Sequence, residues 1–144
     1  TLVAISKMIP LVFPVHPRTM KNIKKAGLNG SLSVGRRLLL LEPLSYRRFM
    51  NLVFNCRLVI TDSGGIQEET TYLGIPCLTL RSNTERPITC ELGTNVMVGN
   101  QPSEILAQAK EILSGKTKPS EIPEKWDGHA AKRIVGHILG NVES

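Results

Sequence analysis

Residues Leu58 to Leu73, LVITDSGGIQEETTYL, constrain the fold more than any other stretch of this chain. Leu58 to Thr61 are aliphatic or β-branched and predict a buried parallel strand. Ser63-Gly64-Gly65 predicts a tight turn, and Ile66 to Leu73 a helix. Strand, small-residue turn and helix in that order present backbone N–H groups at a helix N-terminus, where an anion is favoured. Gly64 and Gly65 carry no Cβ, so a phosphate can come close to the backbone. Glu69 lies four residues past Gly65, one helical turn on, and its two acceptor oxygens suit the paired hydroxyls of a ribose. An ordinary turn with Ser63 as N-cap explains the same residues without a ligand. Neither a Walker-type lysine nor a G-x-G-x-x-G fingerprint is present.

The flanking chain repeats the alternation. Thr1 to Met8 reads as the tail of a helix. Strands are expected at Leu11–Val15, Leu38–Leu41, Leu58–Thr61, Cys77–Leu80 and Asn95–Val98, all parallel. Helices are expected over Arg18–Ala26, capped by Gly27, and over Ser45–Asn55, burying Phe49, Leu52 and Val53. Gly74 stops the helix after the glycine turn. Residues 28–37 and 81–92 read as polar loops, the second long enough to serve function. Ser103 is expected to cap a helix carrying Ile105, Leu106, Ala109, Ile112 and Leu113. A Pro/Lys linker through Trp126 leads to a last helix with Ala131, Ile134, Val135, Ile138 and Leu139 at helical spacing. The fold class is therefore α/β, a parallel, doubly wound, Rossmann-like sheet. In the usual nucleotide-fold order one further strand, upstream of Thr1, lies between the first and third strands. Without it the sheet must close over the gap, borrow a strand from another copy, or belong to a longer chain.

The 144 residues make one ordinary domain. No run of eighteen apolar residues occurs and the start lacks a signal-peptide pattern, so no membrane partner is expected. Cys56, Cys77 and Cys90 are far apart, form no C-x-x-C pair and suit core packing in a reducing cytoplasm; with three scattered histidines they predict no metal site. Asn29-Gly30-Ser31 matches a glycosylation acceptor and is read as a loop. The net charge of +6 is lopsided: residues 1–60 hold ten Lys or Arg and a single acid, Glu42. Such a half suits an anionic partner, whether nucleic acid, membrane surface or phosphorylated small molecule. Only 4% of residues are aromatic, without the aromatic–basic interleaving that stacks bases, so nucleic acid is not expected.

Three further groups narrow the reading. Thr61 to Glu69, Leu73-Gly-Ile-Pro-Cys77, Arg81 with Thr84-Glu-Arg-Pro87, and Pro14-Val-His-Pro-Arg-Thr19 together resemble the non-hydrolysing UDP-N-acetylglucosamine 2-epimerases. The resemblance runs over essentially the whole chain but only over the C-terminal part of that family, whose preceding His-Arg motif should lie upstream of Thr1. It implies that residues 1–144 are a UDP-binding Rossmann-like domain, partial at its N-terminus. That domain is the second of a GT-B, glycogen-phosphorylase-like pair.

By the same resemblance Ser63, Gly64 and Gly65 bind the UDP phosphates, Glu69 holds the ribose and Arg86 contacts phosphate or nucleotide. Phe49 matches an aromatic beside the uracil, although a core position on the helix stripe explains it equally. Leu44 stands where the family often has a base-contacting glutamine, and leaves only a backbone contact. His16, at a strand tip, matches a position near the interdomain cleft; a structural histidine is the alternative. Ile88-Thr89 departs from the family's usual Glu-Ala. The implied reaction interconverts UDP-N-acetylglucosamine and UDP-N-acetylmannosamine by elimination and re-addition of UDP. Its acid/base groups come mainly from the absent N-terminal domain, so no catalytic residue is assigned and the fragment alone should be inactive. No cofactor is implied, and the full-length protein is expected to be a cytoplasmic homodimer. A hydrolysing 2-epimerase, a sugar-nucleotide glycosyltransferase domain and a basic nucleic-acid-binding module are the alternatives.

Overall fold

The computed structural model describes residues 1–28, 30 and 37–142. Helix α1 (Leu2–Met8) leads to strand β1 (Leu11–Pro14), helix α2 (Pro17–Lys25) and strand β2 (Leu38–Leu41). Helix α3 (Tyr46–Phe54), strand β3 (Val59–Thr61), helix α4 (Gly64–Leu73) and strand β4 (Cys77–Thr79) follow. The chain ends with α5 (Pro87–Glu91), β5 (Asn95–Met97), α6 (Pro102–Leu113) and α7 (Ala130–Val142). All five expected strands are present, each within a residue or two of its predicted bounds, and every strand pair is parallel. The expected loop at 28–37 lies largely outside the described residues.

The strands do not form one sheet. β1 pairs with β2, with Leu11 opposite Leu38, and β3-β4-β5 form a second sheet with Val59 opposite Cys77 and Cys77 opposite Asn95. The gap between the first and third strands is thus left open rather than closed over.

A common core nevertheless reaches both sheets. Ile5 of α1 and Ile105, Ala109 and Ile112 of α6 pack with Leu78 and Val98, and Leu11, Leu58, Ile60 and Val96 pack against that cluster. Side chains alternate across a strand, so Val59 points the other way and joins Met50, Val53 and Ile75 between α3 and α4. Helices therefore cover both faces of the three-stranded sheet, as a doubly wound fold requires.

Helix ends follow local chemistry. Pro17 and Pro102 occupy first-turn positions, where a fixed φ and a missing N–H are harmless. Gly74 terminates α4 at φ 68°, a left-handed conformation that glycine adopts without penalty. Four expectations need correction. Gly64 and Gly65 belong to the first turn of α4, not to a turn before it, because Ser63 is already the N-cap. The loop at 81–92 contains α5, started by Pro87. Gln101 rather than Ser103 caps α6, since Pro102 starts the helix one residue earlier. On α3 the buried residues are Met50 and Val53, while Phe49 and Leu52 are half-buried.

Candidate functional site at the N-terminus of α4

Strand β3 ends at Thr61, and the chain turns through Asp62 and Ser63 into α4. The turn is tied by the Ser63 N–H, which donates to Thr61 Oγ1 at 3.1 Å. The first backbone bond of the helix runs from Gln67 N to Ser63 O. The N–H groups of Gly64, Gly65 and Ile66 therefore lack i−4 partners, and the Ser63 side chain makes no capping bond to them. Three open donors at the positive end of a ten-residue helix form an anion-attracting surface.

The fold does not require glycine at either position. Neither Gly64 nor Gly65 has a positive φ. A Cβ on Gly65 would meet nothing within 4 Å, and one on Gly64 would make ordinary contact with Arg86 Cγ at 3.9 Å. Glycine in a helix is unfavourable relative to alanine by roughly 0.5–1 kcal/mol. The bare backbone keeps space open instead.

Glu69 lies further along α4, and the Arg86 side chain approaches Gly64. Tyr46 Oη, from the start of α3, donates to Glu69 Oε1 at 2.9 Å, and Glu69 Oε2 is shielded without a protein partner among the described residues. The hydrogen bond to that carboxylate raises the Tyr46 pKa. Arg86 Nε pairs with Glu68 Oε1 at 2.9 Å, and Nη1 donates to Glu85 O at 3.3 Å. Nη2 keeps its donors free of protein partners among the described residues. Arg81 forks onto Glu85 with bonds of 3.2 and 2.9 Å, which holds the Glu85 carboxyl below its usual range.

Among the other predicted residues, His16 caps α2, its Nδ1 accepting from Arg18 N at 3.2 Å. It follows β1 and so belongs to the other sheet; no hydrogen bond or ion pair among the described residues joins it to Ser63, Gly64, Gly65, Glu69 or Arg86. Leu44 is half-buried just before α3. Phe49 packs against Met50, Val53 and Ile75. A recess of about 720 Å³ between α3 and α4 is lined by Tyr46, Met50, Phe54, Glu69, Tyr72 and Trp126. It shares Glu69 with the helix terminus but includes neither glycine nor Arg86.

Sequence reasoning missed Tyr46, Gln67, Thr84 and Asn95. Gln67 is wholly buried, and its Oε1 accepts from Thr84 Oγ1 at 2.6 Å and from Asn95 Nδ2 at 3.2 Å. One signal was available: the buried residues of α4 are Gln67, Thr70 and Thr71. A polar stripe at helical spacing departs from the apolar pattern expected on the covered face of such a helix.

Among the described residues no group of three His, Cys, Asp or Glu side chains is placed to hold a metal, and no helix is long and apolar enough to cross a membrane. Comparison with known proteins accounts for the remaining features. The sequence profile of the UDP-N-acetylglucosamine 2-epimerase family matches residues 1–139. The UDP-N-acetylglucosamine 2-epimerase of Methanococcus maripaludis is 38% identical over 135 residues, which cover 90% of this chain and 35% of that protein. The enzyme of the same name from Methanocaldococcus jannaschii is 42% identical over 125 residues, covering 87% and 34%. A crystal structure of the Methanocaldococcus jannaschii enzyme in complex with UDP-GlcNAc and UDP superimposes with a TM-score of 0.82 at 36% identity, over 96% of this chain and 38% of that one. The chain thus spans about a third of the length of these relatives. Family profile, sequence identity and superposition agree: this chain belongs to the UDP-N-acetylglucosamine 2-epimerase family.

Proposed function

We propose that the chain is the UDP-binding, C-terminal part of an epimerase that interconverts UDP-N-acetylglucosamine and UDP-N-acetylmannosamine by elimination and re-addition of UDP. The observation that carries this reading is the open start of α4. Three unpaired N–H groups lie over two glycines that the fold does not need, with the stem of the Arg86 side chain, at Cγ, 3.9 Å from where a Gly64 Cβ would stand. The diphosphate sits on those N–H groups and on Arg86 Nη2, which Glu68 leaves free by taking Nε. The ribose hydroxyls donate to Glu69, whose carboxylate Tyr46 holds through Oε1. Ser63 lines the phosphate side, Leu44 offers its backbone to the base, and Phe49 flanks the uracil. His16 stands near the interdomain cleft.

Proton transfer at the sugar needs acid/base groups that this set lacks. Glu68 and Glu69 are neighbours on a helix and project about 100° apart, and Glu68 is engaged with Arg86. These groups are supplied from outside the 144 residues, by a preceding domain in a cytoplasmic homodimer. The three free cysteines suit such a reducing compartment. One further parallel strand, also from outside the chain, fits between β1 and β3, each of which is paired on one side only.

Titration calorimetry with UDP tests the site. Glu69→Ala and Arg86→Ala should each weaken binding by roughly 1–3 kcal/mol, the range for hydrogen bonds to charged groups. Binding unchanged by Glu69→Ala would remove the ribose assignment. Incubation of the chain with UDP-N-acetylglucosamine, followed by proton NMR of the anomeric signals, should show no conversion, since each missing acid or base is worth roughly 10²–10⁴-fold. Appearance of the manno epimer would place the catalytic groups within these residues.

A further inference from the structure

We propose that Gln67 and Asn95, acting through Thr84 and Thr89, form a buried clamp that sets the backbone of Arg86 and thereby aims its guanidinium. The inference rests on the reading of Arg86 as a phosphate contact and adds the residues that position it. Arg86 is the N-cap of a five-residue helix, with φ −125° and ψ 56°, and its carbonyl accepts from the Thr89 N–H at 3.0 Å. Side chains add to that hold. The Arg86 N–H donates to Thr84 Oγ1 at 3.0 Å, and the Arg86 carbonyl accepts from Thr89 Oγ1 at 2.7 Å.

Both hydroxyls are held in turn by buried amides. Thr84 Oγ1 donates to Gln67 Oε1 at 2.6 Å. Thr89 Oγ1, having donated to Arg86, accepts from Asn95 Nδ2 at 3.2 Å. Asn95 Nδ2 also reaches Gln67 Oε1 at 3.2 Å, and Asn95 Oδ1 accepts from Thr79 Oγ1 on β4 at 2.6 Å. Asn95 Nδ2 also lies 3.2 Å from Cys90 Sγ, so its two protons are shared among three acceptors. Gln67 is 0% exposed and Asn95 1%, where such bonds are shielded from water. The clamp ties the Arg86 peptide to α4, the helix whose first turn carries Gly64 and Gly65. Donors from backbone and side chain are thus set in one frame.

Thr84→Val removes one hydroxyl at constant shape from a half-buried site, and Thr89→Ala removes the other. Two measurements on the chain test the idea. Without ligand, Arg86 amide exchange followed by NMR should accelerate roughly tenfold in Thr84→Val, beyond any change at Leu78. With UDP as the probe, calorimetry should show affinity falling roughly five- to tenfold in Thr84→Val and in Thr89→Ala. Thr89→Ser, which keeps the hydroxyl, should restore it. The same changes made on Arg86→Ala should have no further effect, because the clamp acts only through that residue. Unchanged Arg86 exchange, or an equal loss of affinity in the Arg86→Ala background, overturns the proposal. If Arg86→Ala alone leaves UDP affinity intact, the phosphate reading and the aiming role both fall, whereas additive effects overturn the clamp alone.

Discussion

Strand β2 is four leucines and strand β4 is Cys-Leu-Thr, yet the leucine strand is the more exposed. Leu39 is 54% exposed, while Cys77, Leu78 and Thr79 are each at 0%. β4 has a parallel neighbour on either side and helices over both faces. β2 has one neighbour; its register partner for Leu39 is Val12, itself 41% exposed, and α2 buries none of its residues. Burial in this molecule follows position in the sheet more than side-chain hydrophobicity. The well-covered region also houses polar groups: Asn95 is bonded through both ends of its amide, and Gln67 through Oε1, while Gln67 Nε2 is buried without a partner among the described residues. The poorly covered region leaves apolar surface exposed. The terminal helix α7 belongs with it, since Ile134, Val135, Ile138 and Leu139 are each more than half exposed.

Mutations that probe the contrast should differ steeply. Leu78→Ala empties a site in the larger core and should lower stability by about 2–5 kcal/mol, measured by urea unfolding. Leu39→Ser should change it by no more than about 0.5 kcal/mol. Comparable effects at both positions would abolish the distinction between the two sheets.

Next in size is Gly93→Ala. A Cβ there would lie 2.3 Å from Thr71 Oγ1 and 2.7 Å from the Thr89 carbonyl oxygen, inside the covered region. Overpacking of this kind should lower stability by about 3 kcal/mol. Gly65→Ala, which meets open space, should leave stability unchanged or raised by up to about 1 kcal/mol, while UDP binding weakens.

The pH dependence is smaller. Burial raises the Cys77 thiol from 9.0 to about 11. Below pH 9 folded and unfolded chains both keep this proton, and its contribution is constant. Between pH 9 and about 11 the unfolded chain releases the proton first, so stability falls by about 2–3 kcal/mol as pH rises through that window. Unfolding of Cys77→Ala should lack this loss. An equal alkaline loss in the variant would remove Cys77 as its source.

The smallest effect concerns motion. Amides of β1 and β2 should exchange with deuterium at least roughly tenfold faster than those of β4, because a two-stranded unit opens at lower free energy than a doubly flanked strand. Equal protection would mean that the two sheets unfold as one unit.

Much of this molecule was legible from one dimension. Strand positions followed from short apolar runs between breakers, and the direction of pairing from the intervening helices. Gly74 acts through its own backbone torsion, so its stop of the helix needs no partner. The alignment of Ser63, Gly64, Gly65 and Glu69 along α4 is equally local, being set by the pitch of a helix.

Tertiary structure decided the rest, because it depends on which distant atoms meet. Nothing in the local pattern around Tyr46 says that its hydroxyl bonds a carboxylate 23 residues later. The pairing of Arg86 with Glu68, and the reach of Asn95 to Gln67 across 28 residues, likewise exist only once β4 and β5 lie beside α4. Phe49 and Leu52 repeat at helical spacing like Met50 and Val53, but only the latter two are buried, Phe49 packing at the edge of their cluster. Four leucines announce a strand, and only the sheet around them determines how many are covered. Amino-acid order sets torsions and periodicity over a few residues, whereas burial, pKa shifts and polar networks are set by neighbours that the chain brings back through space.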